Sequence, residues 1–158
     1  MSEADLAKYL EAAEKSPRQV ATAVAALPDR TLRYRPAPEG RCILEILGHL
    51  ADSEIVYAHR LRQMLADLNP VIASIDPDAW VKILGHTETP PAEMIALYGL
   101  NRHANLRLLR RLKPEQLEKT AYDPELKKDV TVAEYVEKMG AHGANHLQQI
   151  EELKKQAK

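Results

Sequence analysis

Gly140-Ala141-His142-Gly143-Ala144-Asn145-His146-Leu147-Gln148-Gln149-Ile150 sets two histidines four residues apart, in a segment with the apolar spacing of a helix. At that spacing both imidazoles project from one side, a turn apart, and can reach a single ion. A pair of this kind also arises without a metal, its rings satisfied by hydrogen bonds, so a third ligand is required. The best candidate is His49, within Glu45-Ile46-Leu47-Gly48-His49-Leu50-Ala51-Asp52-Ser53-Glu54, a second strongly helical segment.

Composition narrows the surroundings. A chain of 158 residues can bury one core, and we read residues 1–158 as a single domain. Phe is absent and aromatics make up only 4%, so the core must come from Leu, Ala, Ile, Val and Met, as helix packing allows. The fold class is therefore all-α. With 22 basic against 23 acidic residues there is no electrostatic footprint for a nucleic acid. The single cysteine, Cys42, cannot form an internal disulfide. The amino-terminal residues lack the pattern of a secretory signal, and no run approaches the length of a membrane span. The expectation is a soluble cytoplasmic protein with no membrane or nucleic-acid partner.

Along the chain, Ala4 to Glu14 and then Ser16-Pro17 to Leu27 read as one helix in two pieces, restarted at the proline. Arg33 to Gly40 is a loop, interrupted by two prolines and a glycine. Helix two is expected from Cys42 to Leu68, ended by Asn69-Pro70. A long crossover follows, with a short extra helix after Asp76-Pro77-Asp78. Helix three opens at Thr89-Pro90-Pro91 and extends to Leu112, with Asn101 and Asn105 on its apolar stripe. Lys113-Pro114-Glu115 closes it, and Tyr122-Asp123-Pro124 marks an irregular stretch. Thr131-Val132-Ala133-Glu134 has the form of a capping box and begins helix four. Its inner face carries Tyr135, Val136, Met139, His142, Gly143, His146, Ile150 and Leu153. Four long helices make a bundle, and connections this long permit parallel as well as antiparallel neighbours.

His49, His142 and His146 would supply three neutral nitrogens from two helices, leaving coordination positions for water or substrate. Asp52 and Ser53, three and four residues on, share the His49 face and are candidates to orient an imidazole, hold a water or add a ligand; Asp52 reads equally well as a solvated surface residue. Arg60 lies three turns further, where it would meet an anionic substrate group or form a structural ion pair. Cys42 is too far along the helix from His49 to share an ion and reads as a small buried hydrophobe. His59, His86 and His103 read as ordinary surface or core histidines. Asn101 and Asn105 suit either a polar pocket or interhelical hydrogen bonds.

The strings EILGHLADSE (45–54), YAHRLRQML (57–65), NP (69–70), IDPDAW (75–80) and TVAEYVEKMGAHGANHLQQIEEL (131–153) together resemble the DinB superfamily of small four-helix proteins. That resemblance implies a four-helix bundle in up-down-down-up order, commonly a homodimer, with a metal triad carried over onto His49, His142 and His146. Two departures stand out. Glu39-Gly40-Arg41-Cys42 replaces a segment that often reads Gly-Lys-Trp-Ser, and Asn145 stands where many relatives carry another histidine. Neither touches the triad. Relatives include thiol-dependent S-transferases and isomerases as well as metal-dependent hydrolases. The expectation is an enzyme that uses a divalent ion (Zn, Ni, Mn or Fe), with a small-molecule substrate and either water or a low-molecular-weight thiol as co-reactant. The alternatives are a metal- or stress-responsive binding protein with a structural ion, and a degenerate pocket that binds nothing.

Overall fold

In chain order the computed structural model, which describes residues 1–157, contains α1 (Glu3–Val24), α2 (Asp29–Leu32), α3 (Ile43–Ala66), α4 (Pro77–Ile83), α5 (Pro91–Leu109), α6 (Pro114–Leu117), a hairpin of β1 (Thr120–Asp123) and β2 (Lys128–Thr131), and α7 (Val132–Gln156). The four long helices α1, α3, α5 and α7 form the bundle. Side-chain contacts fix their directions. Along α1 and α7, Tyr9 meets Gly140, Ser16 meets Gly143, and Thr22 shares a groove with Leu147 and Glu151, so the two helices run parallel. α3 and α5 also run parallel: Leu47 and Leu50 join Met94 and Tyr98 in one apolar cluster, Glu54 meets Asn105, and Leu61 and Met64 join Leu109 in a second cluster. α3 and α7 are antiparallel, since His49 lies against His142 while Arg60 reaches Tyr135. Ser16 bonding Tyr98 and Glu14 pairing with Arg110 make α1 and α5 antiparallel. The order is up-down-down-up.

Two apolar clusters fill the ends of the bundle. One gathers Val20, Ile43, Leu47, Leu50, Met94 and Ile150; the other gathers Leu61, Met64, Leu109, Val132, Val136 and Met139. Between them lies a polar belt. Ser16 bonds the Tyr98 hydroxyl at 2.8 Å, and Arg102, 1% exposed, donates to the Met139 carbonyl. Arg102 Nη2 is 2.8 Å from Glu54 Oε1, an ion pair by distance but too bent for a hydrogen bond. Asn105 donates to the Glu54 carbonyl and carboxylate at 3.1 Å each. Asn105 is thus an interhelical clamp, while Asn101 is only half-buried and stands outside it.

Two local expectations need correction, and one connection gains a detail. α1 is one continuous helix rather than two pieces, because the Ser16 hydroxyl donates to the Ala13 carbonyl at 2.9 Å, the acceptor that Pro17 cannot serve for lack of an N–H. The connection after α1 holds the single turn α2. The stretch before α7 is a regular hairpin, with Ala121 and Val130 paired and buried; only its turn is irregular, with Asp123 Oδ1 accepting from the Glu125 and Leu126 amides and Lys127 at φ 53°. The Thr131 capping box is present: Thr131 Oγ1 accepts from Glu134 N at 3.1 Å, and Glu134 Oε2 accepts from Thr131 N at 2.6 Å. The crossover helix α4 starts on an Asp76 cap, as its sequence predicts.

Candidate metal centre

Antiparallel packing of α3 on α7 brings His49 opposite the His142 and His146 pair. His142 Nε2 lies 3.2 Å from His49 Nε2 and 3.1 Å from His146 Nε2. All three ligand atoms fall within 4.8 Å of one another. The opposite edge of α7 is built for close approach. A Cβ on Gly143 would sit 2.5 Å from Ser16 Cβ, so glycine at this position lets α1 pack directly behind the histidines.

Burial strongly favours neutral imidazoles. It lowers the His142 pKa to about 2 and that of His49 to about 3, with the neighbouring His146 adding to both shifts. His146 is lowered chiefly by burial as well, partly offset by its bond to Gln149. That bond, 2.8 Å from Nδ1 to the Gln149 Oε1 acceptor, places the ring proton on Nδ1 and leaves the Nε2 lone pair facing the cluster. His142 Nδ1 is buried with no hydrogen-bond partner.

The donor set fits a cation. His142 Nε2 faces two other ring nitrogens, and a single proton on it can serve only one of them. Three lone pairs converging on one divalent ion leave none opposed. Metal–nitrogen bonds of about 2.0–2.1 Å suit the two pairs at 3.1 and 3.2 Å.

His49 and His142 form part of the wall of a cavity of about 230 Å³, together with Ser53, Tyr57, Arg60 and Lys138. Among the sequence candidates, Ser53 and Arg60 therefore share the triad's cavity. Arg60 is held rigidly, donating to the Tyr135 hydroxyl at 3.2 Å and to the Ala73 carbonyl at 2.6 Å. Asp52 does orient an imidazole, though not that of a triad member: its Oδ2 lies 2.9 Å from His86 Nε2. Burial raises the Asp52 pKa, and His86 opposes the rise. His86 is buried against α3, where a Cβ on Gly48 would lie 2.1 Å from its ring. That contact escaped the sequence reading, and Gly48 beside His49 was its only signal. His59 and His103 are exposed. Cys42 is fully buried at the start of α3, and burial pushes its thiol pKa up. No described helix is long and apolar enough to cross a membrane.

Comparison with known proteins agrees with this geometry. The sequence profile of the DinB superfamily matches residues 12–150. The chain is 25% identical over 146 residues to the protein named "Putative metal-dependent hydrolase YfiT" of Bacillus subtilis, covering 92% of this chain and 82% of that one. It is 27% identical over 147 residues to a protein of the same description, OB0413, from Oceanobacillus iheyensis, covering 92% of this chain and 83% of that one. The solved structure of YfiT, described as having an unusual four-helix bundle topology, superposes with a TM-score of 0.93 at 24% identity, covering 99% of this chain and 89% of that chain.

Proposed function

Because the chain belongs to the DinB superfamily, we propose that it is a divalent-metal-dependent enzyme in which His49, His142 and His146 hold the ion and the nucleophile is water or a small thiol. The observation that carries this reading is the convergence of ring nitrogens from three histidines, two of which, His49 and His142, stand on a cavity wall. A divalent cation with three neutral ligands supplies a Lewis acid that favours the ionised form of water or a thiol near neutral pH.

The chain's own residues supply the rest. Gln149 fixes the His146 tautomer, and the fold sets the three rings without any carboxylate among them. Arg60 and Lys138 offer positive charge on the cavity wall, where they orient an anionic substrate group against the triad. Val56, Ile75 and Pro77 line the same cavity and limit water around the reacting group. Hydrolysis is the first form of the reading, since the similar proteins are named as metal-dependent hydrolases. The thiol form draws on the neutral donor set, which brings no negative charge to repel a thiolate.

The test is metal analysis of the purified protein, followed by assays of the Zn²⁺ and Co²⁺ forms for ester and amide hydrolysis and for thiol transfer to an electrophile. Turnover that requires metal and disappears in His146→Ala supports an enzyme. A sulfur-to-metal charge-transfer band on adding a small thiol to the Co²⁺ form selects the thiol version. Tightly held metal with neither turnover nor exchange of its non-protein ligands identifies a structural ion.

A further inference from the structure

A second cavity, of about 300 Å³, reaches the histidine cluster from the other side. His146 and Gln149 stand on its wall with Arg41, whereas His49 and His142 face the first cavity, and the two share no lining residue. The cluster is thus approached from two separate directions. One organic substrate and water occupy only one of them.

We infer that the cavity on the His146 side is a second ligand site, taking a small carboxylate at Arg41 in exchange for Asp78. This deepens the reading above by giving the same centre a second occupant. Arg41 is the one guanidinium among the residues on that wall, which it shares with His146. Its side chain is 22% exposed and already holds a carboxylate, that of Asp78, through Nε and Nη2, leaving Nη1 outside the pair. Asp78 is 74% exposed, so its carboxylate sits on the solvent side of the pair and is open to replacement.

The wall also sets the ligand's charge. Glu152 faces the same space, so a dianionic phosphate meets repulsion that a monovalent carboxylate largely escapes. A planar carboxylate matches the guanidinium fork, and the side-chain amides of Gln149 and Gln156 offer donors for the remainder of the molecule. Asp78 lies in α4, and its neighbour Pro77 lines the first cavity, so the exchange at Arg41 also touches the wall of the first site.

The experiment titrates the full chain with sodium lactate, a monovalent carboxylate, using sodium chloride at matched ionic strength as the control. It follows the Arg41 Nε–H and the Gln149 and Gln156 side-chain amides by nitrogen-15 NMR. Saturable shifts at these groups are expected from lactate and not from chloride. Arg41→Gln should weaken binding at least about tenfold, while Lys138→Gln leaves it unchanged. Asp78→Asn should tighten it by about threefold, because the internal competitor is gone. Shifts confined to Arg60 and Lys138, or equal to those from chloride, overturn the site. Unchanged or weaker binding in Asp78→Asn overturns the exchange. Zn²⁺ binding, read separately from the histidine ring signals, keeps the two readings distinct. Lactate seated at Arg41 in a chain that binds no Zn²⁺ upholds this inference and removes the metal centre.

Discussion

Three histidines converge in one cluster, whereas His86 is tied to Asp52 and His59 and His103 are exposed. His49→Ala, His142→Ala and His146→Ala should each lower Zn²⁺ affinity at least tenfold by isothermal titration, and the exposed His59→Ala and His103→Ala should not. Equal affinity across all five variants would remove the ligand assignment. The same burial predicts a pH effect on the metal-free protein. The unfolded chain takes up protons at histidine below about pH 6.5, but folded His49 and His142 do so only near 3 and 2, so stability falls as the pH drops through that window. Urea unfolding at pH 7 and pH 5 checks the sign, and the difference should shrink in His49→Gln. The His142–His146 pair was legible because helix periodicity fixes which side chains share a face; His49, on another helix, entered as the best third candidate and through the family resemblance. The Asp52–His86 contact was not legible, because His86 comes from a connection whose path sequence periodicity cannot trace. Gly48→Ala tests that contact: the new methyl would meet the ring, and about 1–3 kcal/mol of stability should be lost in thermal or urea unfolding.

Helix starts were the most readable elements, since a cap is a local arrangement of a few consecutive residues. The Thr131 box and the Asp76 cap both stand where their sequences put them. Proline misled where its own neighbour repaired the defect: the Ser16 hydroxyl serves the Ala13 carbonyl and also bonds Tyr98, 82 residues away. Ser16→Ala should therefore cost about 1–3 kcal/mol in urea unfolding. The hairpin escaped because strands of four residues are too short to display an alternating pattern. Glu54 and Arg102 escaped for a different reason. Each reads alone as a surface charge on an apolar helix, and only the parallel pairing of α3 with α5 buries them together. Arg102→Met leaves a carboxylate whose burial already raises its pKa, and about 3–5 kcal/mol of stability should go with it.

Across the whole molecule, the two apolar clusters at the ends of the bundle stand independently of the histidine cluster between them. Chelation should therefore leave the far-UV helical signal essentially unchanged, in contrast to small zinc domains that need metal to fold. Loss of that signal on adding a chelator would make the ion structural. The direction of the helices was beyond the sequence pattern, because long connections allow either sense, and it entered only through the family resemblance. That direction governs how the chain acquires its structure. α1 packs along α7, its parallel partner, so α1 waits through the synthesis of every element between them, and His49 waits 93 residues for His142. Nearest-neighbour hairpins, which let an ordinary bundle fold rapidly from local contacts, are absent from the α1–α7 pair. A nascent chain ending before α7 presents the apolar side of α1 uncovered, and chaperone capture or aggregation should be concentrated in that interval of synthesis.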